Sequence, residues 1–370
     1  MPSGRLNTNQ SRRTLLSLLN SWTSATPELL SPRNPQNLCA FASLREICSV
    51  IARRFRVLVT HNEIHPAGLQ RLAGIGAQVD FMSGPISEED LLREMQRAPT
   101  DAILMRGNPP LTGKVIEAGS SLRVISKQGV GVDSLDLAAA AERGVMVTTA
   151  GDANSAAVAE LTMALLLALR RDVLRLNKRM RAGFWDRPTY QGQELGGQTL
   201  GVIGLGRIGS RVADLAKCFG MQVITVARPG VDTNLVVETM SLRELLAEAD
   251  IVSLHCPLTA DNRGFMNRDA FAVMKRGALL INTARGALID EADLAASLSA
   301  GRLGGAALDV FSVEPATADN PLFTAPNVIF TPHIGSETTA SIERTAIRAA
   351  ENIVAVLTGG VVDADCVVRS

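Results

Sequence analysis

Four absences bound this chain before any motif is read. Charge is balanced, with 37 Lys and Arg against 37 Asp and Glu, so no global field draws it to nucleic acid or to an anionic membrane. No apolar run approaches the ~20 residues that a membrane-spanning helix needs, and Leu161–Leu169 falls far short. Aromatic residues are sparse, at 4%, so the 46% of hydrophobic residues fill cores that are mostly aliphatic. The five cysteines (Cys39, Cys48, Cys218, Cys256, Cys366) form no C-x-x-C pair and no metal-ligand spacing. That pattern reads as reduced thiols in a cytoplasmic protein with no metal site. Histidine is rare too. Isolated, His61, His65 and His255 read as ordinary surface or core residues, with a cofactor-lining role left open for His255.

At 370 residues the chain exceeds one typical core, so two domains are the default expectation. Residues 1–55 stand apart, with seven Arg against only Glu28 and Glu46 among many Ser, Asn and Pro. This composition suits a disordered tail or residues added by an upstream start codon, with an organellar transit peptide as the alternative. Ordered structure is expected from Arg56. Strand-like runs follow at 56–60, 77–81, 101–105, 123–126 and 145–148, separated by helical patterns at 66–74, 87–97, 112–118 and 134–143. A long helical stretch is expected from Asn154 to about Arg181, capped by Asp152 or Asn154. A second series has strands near 199–203, 222–226, 250–254, 278–282, 305–309 and 328–330, and a last helix at about 336–357. Strands alternating with helices predict α/β architecture, here two doubly wound parallel-sheet units joined by a long helix.

The run VIGLGRIG at 202–209 places Gly204, Gly206 and Gly209 in a G-x-G-x-x-G loop between a strand and a helix. In a dinucleotide fold the first glycine makes the turn, the second admits the pyrophosphate and the third lets helix and strand pack. The helix N-terminus at Arg207 and Ile208 then offers N–H groups and a positive dipole end to phosphate. Further chemistry sits at strand ends, where open α/β sheets bind ligands. INTARG puts Arg285 beyond a strand, ALDVFSVEP puts Asp309 at a strand end with Glu314 after it, and TPHIG places His333 beyond the last strand. A guanidinium, a carboxylate and an imidazole beside a nicotinamide suit hydride transfer to or from C2 of a 2-keto or 2-hydroxy acid.

With these segments in place, the chain resembles the D-isomer-specific 2-hydroxyacid dehydrogenases from about Arg56 to Leu357. KQGVGVD (127–133), VAELTMALLLAL (158–169), VIGLGRIG, LHCPLT (254–259), INTARGALID (281–290), ALDVFSVEP and TPHIG occur in the family's order and spacing. The resemblance implies a Rossmann cofactor domain at 154–330 inserted in a flavodoxin-like substrate domain at 56–153 and 331–358, with a tail at 359–370. It also implies a homodimer, for which the helix from Asn154 and the arm carrying Phe184 and Trp185 are the candidate surface, ordinary core being the alternative. As the general acid, His333 would protonate the keto oxygen. Glu314 would raise its pKa and fix its tautomer. Arg285 would bind the substrate carboxylate, helped by backbone N–H groups at Val130 and Gly131. Thr162, His255, Pro257, Thr283, Ala284 and Asp309 are expected around the cofactor, and Arg106 and Gly107 around the substrate.

One position departs from the common pattern. After the strand 222–226 an acid usually binds the adenosine ribose, but here stand Ala227, Arg228 and Pro229. Loss of the acid and gain of a cation favour NADP(H) over NAD(H), with Asp232 as a possible substitute acid. Glyoxylate and hydroxypyruvate are the expected substrates. D-3-phosphoglycerate is the alternative, weakened because no regulatory domain is expected after the last helix. Formate is disfavoured because that branch carries Gln where this chain has Glu314. Another class stays open: some relatives act as dinucleotide-sensing corepressors, which turnover would distinguish.

Overall fold

The central apolar runs become parallel strands because each is too short for a helix and is buried on both faces. The structure is a computed structural model that describes residues 54–107, 109–226 and 237–368. The basic leader up to residue 53 and the segment holding Ala227, Arg228, Pro229 and Asp232 lie outside the described residues.

The first series comprises β1 (Arg56–Val59), α1 (Pro66–Ala73), β2 (Gln78–Phe81), α2 (Glu88–Arg97), β3 (Ala102–Met105), α3 (Gly113–Ala118), β4 (Val124–Lys127), α4 (Leu137–Glu142) and β5 (Met146–Thr148). Its strands form a parallel sheet in the order β2-β1-β3-β4-β5, with Val57 opposite both Val79 and Ala102. The three central strands are buried throughout, as RVLV, AILM and VISK suggest. Sequence capping is explicit on α2, where Ser87 and Asp90 form a reciprocal capping box.

Two helices follow, α5 (Ser155–Arg170) and α6 (Val173–Arg181). Then come β6 (Thr199–Ile203), α7 (Arg207–Cys218), β7 (Gln222–Val226), β8 (Glu238–Met240), α8 (Leu242–Glu248), β9 (Ile251–Leu254), α9 (Arg268–Val273), β10 (Leu279–Asn282), α10 (Glu291–Ser299), β11 (Gly305–Leu308) and β12 (Val328–Phe330). These strands form a second parallel sheet, ordered β12-β11-β10-β9-β6-β7-β8. The order reverses between β6 and β9, which opens a crevice beyond their carboxyl ends. Fully buried Phe271 packs with Leu254, Leu280 and Leu308 on one face of this sheet. On the other, Val202, Ile281 and Ala307 meet Val212 and Ala216 of α7 and Leu166 of α5.

The last helix, α11 (Thr339–Thr358), returns to the first sheet. Ala346, Ala349, Ala350, Ile353 and Leu357 recur at helical spacing and pack on Val57, Val59, Leu104 and Val124.

The structure corrects two expectations. The stretch from Asn154 to Arg181 is not one helix: it breaks at Asp172, whose φ is +52°. The apolar run ends there in Arg170-Arg171-Asp172, Arg175 bonds Asp172 at 2.9 Å, and the Tyr190 hydroxyl donates to the Arg171 carbonyl at 2.7 Å. Asn154 occupies the N-cap of α5 without a side-chain cap bond, and Asp152 accepts from Arg211 at 2.6 Å. The short edge strand β8 was not expected, since three residues carry no readable alternation. Among the described residues no helix is long and apolar enough to cross a membrane.

Ile353 is fully buried between α11 and the first sheet. Ile353→Ala should cost about 2–5 kcal/mol of unfolding free energy. Urea denaturation checks this, and a negligible loss would argue against the docking of α11 described here.

Candidate active site

Both sheets are wholly parallel, so every strand delivers the residue after its carboxyl end to one edge. Those two edges meet at a cleft of about 910 Å3. From the second sheet come the turn after β6, His255 and Pro257 after β9, Thr283 to Arg285 after β10, and Asp309 after β11. From the first come Arg106 and Gly107 after β3, and Lys127 to Asp133 at and after β4.

The glycine loop meets the demands of a dinucleotide site. Gly204 has φ +101°, and a Cβ there would lie 2.5 Å from the Cys256 nitrogen. A Cβ on Gly209 would lie 2.1 Å from the Gly204 carbonyl oxygen. These two glycines therefore serve the turn and helix packing. Gly206 differs, because a Cβ there would meet nothing within 4 Å. It borders the cleft with Arg207 and Ile208, leaving open space against the backbone, and α7 starts there with no side-chain cap. This cradle fits the pyrophosphate of a nicotinamide dinucleotide. His255 bonds Ser253 at 2.8 Å, and burial pushes its pKa down to about 4, so it is neutral beside the cradle.

At the other end of the edge, Glu314 meets His333, with Oε2 2.7 Å from Nδ1. The second carboxylate oxygen, Oε1, accepts from the Phe311 N–H at 3.0 Å. The bond to Glu314 raises the imidazole pKa above its ordinary value of 6.5, against the opposing effect of burial. Burial pushes the Glu314 carboxyl up, but the bonds from His333 and Phe311 outweigh it and leave its pKa lowered. With Nδ1–H held by a carboxylate, Nε2 is the ring atom left to exchange a proton with substrate. His333 also has φ +54°, an unusual backbone for a non-glycine residue. Asp309 holds that turn: its carboxylate accepts from Thr331 Oγ1 at 2.6 Å and from the Ile334 and Gly335 N–H groups at 2.9 Å each. Its carbonyl accepts from the His333 N–H at 2.7 Å. Expected at the cofactor, Asp309 does border the cleft, but its bonds run to the histidine loop.

Arg285 donates from Nε to Asp133 at 2.6 Å and from Nη1 to the Ala284 carbonyl at 2.6 Å. Its Nη2 lies over Gly131, where a Cβ would fall only 1.7 Å away. The guanidinium and the Val130–Gly131 backbone thus share one corner, suited to a carboxylate. Fully buried Asn282 shapes the loop, donating to the Arg285 carbonyl at 2.8 Å and accepting from the Ala284 N–H at 3.0 Å.

Several expected residues lie apart from the cleft wall. Thr162 is buried at 1% exposure, donates to the Val158 carbonyl at 2.8 Å and shares a 2.9 Å bond with Thr283. It supports a lining residue rather than facing the cofactor. Gly204 and Gly209 sit behind the loop, and Glu314 stands behind His333. Of the isolated histidines, His65 caps α1, its ring accepting from the Ala67 N–H, and His61 borders the cleft and contacts Arg106 at 3.3 Å.

Sequence reasoning passed over Lys127, Asp133 and Asn282. Lys127 is 95% buried at the end of β4 (5% exposed), and its ammonium bonds the Gly107 carbonyl. Burial, aided by the nearby Arg285 charge, pushes its pKa down to about 8. Strand-end position, the signal that identified Arg285, would have found it.

The Glu314–His333 bond carries a pH prediction. If His333 acts as the acid in a reduction, kcat/KM for that direction should fall as pH rises through a pKa above 6.5. Glu314→Gln should move that falling limb to lower pH, whereas an unmoved limb would assign Glu314 no part in holding the proton.

Comparison with known proteins places this geometry. Residues 163–335 match the model of the D-isomer specific 2-hydroxyacid dehydrogenase NAD binding domain. A D-3-phosphoglycerate dehydrogenase of Methanocaldococcus jannaschii is 42% identical over 313 residues, covering 82% of this chain and 58% of the relative. A hydroxypyruvate reductase of Thermotoga maritima is 37% identical over 278 residues, covering 75% of this chain and 90% of the relative. The chain thus spans little more than half of the former. A solved glyoxylate reductase from Paecilomyes thermophila superposes with a TM-score of 0.75 at 30% identity, over 84% of this chain and 97% of that one. With its parallel sheets, glycine cradle and Arg, Glu and His at one edge, the chain belongs to the D-isomer-specific 2-hydroxyacid dehydrogenase family.

Proposed function

We propose that this protein reduces the C2 carbonyl of small 2-keto acids, and oxidises the corresponding D-2-hydroxy acids, with glyoxylate and hydroxypyruvate as preferred substrates. The observation that carries the reading is the carboxylate-held His333 on the same edge as Arg285 and the glycine cradle. A bound reduced nicotinamide supplies a hydride to C2. His333 gives the proton from Nε2 to the carbonyl oxygen as the C=O π bond breaks, and Glu314 stabilises the imidazolium beforehand. Arg285 and the Val130–Gly131 backbone hold the C1 carboxylate, and the guanidinium polarises the adjacent carbonyl. D-3-phosphoglycerate is the alternative substrate, with Arg106 facing its distal phosphate.

NADP(H) is the proposed cofactor. The support is compositional: Ala227 offers no carboxylate to the ribose, and Arg228 supplies a cation for a 2′-phosphate. A second copy of this chain is the proposed partner. Val173, Leu174, Met180, Phe184 and Trp185 are all about half or more exposed within one short stretch, and α6 buries none of its residues. The cytoplasmic assignment rests on cysteine usage; Cys218, Cys256 and Cys366 are free thiols.

A keto-acid panel with NADPH and with NADH, followed by loss of the reduced-nicotinamide absorbance, tests the proposal. Fast NADPH-dependent turnover of glyoxylate or hydroxypyruvate is expected. Preference for NADH would overturn the cofactor assignment alone. Tight cofactor binding with no turnover would overturn the enzyme reading and favour a dinucleotide sensor.

A further inference from the structure

A second cavity, of about 850 Å3, adjoins the cleft. His61, Arg106, Gly107 and His333 border both spaces, whereas Glu314 borders only the second. One wall carries Phe311, Phe323 and Phe330, whose ring centroids lie 5.2 to 6.0 Å apart. A chain with only ten Phe, two Trp and one Tyr thus places three rings beside its catalytic pair. Pro85 and Ile86 from the first series of elements, and Pro315 from the second, add further apolar surface. Neither glyoxylate nor hydroxypyruvate has a group that would use this space.

We propose that the chamber is a side-chain subsite for 2-keto acids carrying an aryl group, so that the protein also reduces arylpyruvates. The inference rests on the reaction proposed above, and the chemistry at C2 is unchanged: one hydride to carbon, one proton from His333 to oxygen. Three observations support it. First, Arg106, Gly107 and His333 border both cavities, so with C1 at Arg285 and the carbonyl at His333 the chamber adjoins the side on which the C2 substituent would lie. Second, the wall suits a ring. Phe323 and Phe330 meet edge-to-face at 89°, the kind of arrangement that an added aryl edge extends.

Third, the cation at the entrance is already compensated. Arg106 lies 3.6 Å from Glu63 and 3.9 Å from Glu337, and Glu314 adds a further carboxylate to the chamber. A distal phosphate or carboxylate would meet these acids. An aryl face needs no counter-charge and can lie against the guanidinium. The chamber therefore favours an uncharged ring over the phosphorylated substrate considered above.

The test compares kcat/KM for glyoxylate, pyruvate, phenylpyruvate and phosphohydroxypyruvate with NADPH and with NADH. Phenylpyruvate should exceed pyruvate by about tenfold or more, and phosphohydroxypyruvate should not exceed it. Ile86→Trp and Ala316→Trp narrow the chamber from opposite sides of the fold. Each should lower the phenylpyruvate-to-glyoxylate ratio by about tenfold. Two variants guard against one misfolding, and glyoxylate turnover reports the folded enzyme. Glyoxylate turnover with phenylpyruvate poorer than pyruvate overturns the chamber assignment alone, as does an unchanged ratio in both variants. No turnover of any acid overturns this proposal and the reaction it rests on.

Discussion

A buried carboxylate shapes the active edge. Asp309 is 1% exposed, yet its charge is met by a hydroxyl and two backbone N–H groups of the loop Thr331–Gly335. Such a group is tolerable in a low-dielectric interior only when its acceptors are filled. Filling them bends the loop, and the bend puts His333 at φ +54°. A left-handed non-glycine residue costs free energy that the surrounding bonds must offset. The outcome is an imidazole held where Glu314 can reach Nδ1, with Asp309 adding to the field that favours its protonated form.

The two sheets divide the remaining work. The second supplies the His333 imidazole, its carboxylate partner, the guanidinium and the glycine cradle. The first supplies Gly131, which must lack a side chain for Arg285 to lie against it, and Asp133, which orients that guanidinium. In the proposed reaction, substrate anchoring is thus shared across the cleft, while proton transfer belongs to one side. The return of α11 to the first sheet follows from chain order, because the histidine loop comes directly before it. Arg344 on α11 donates to the Ala153 carbonyl at 2.9 Å, tying the return helix to the segment that leads into α5.

Much of this was legible because parallel strands buried on both faces appear as short apolar runs between turn residues. Arg285, Glu314 and His333 could be found because strand ends in such sheets face one edge. What escaped was set by contacts between distant segments. The break at Asp172 has no Gly or Pro to mark it and depends on Tyr190, eighteen residues on. Asp133 and Asn282 act through partners that only the folded arrangement brings close. Asp309 was placed at the correct edge, but its sequence position does not tell which way its oxygens turn. Lys127 ends a strand, but a lysine before a glycine turn has no sequence feature that marks it as buried; its burial comes from the fold.

The central claim is that Glu314 raises the proton affinity of the His333 imidazole above its ordinary value. NMR titration of the His333 ring in the cofactor-free protein tests it directly. The account predicts a pKa above 6.5 in the native chain, dropping when Glu314 is replaced by Gln. A native pKa at or below 6.5, unmoved by that replacement, would contradict it.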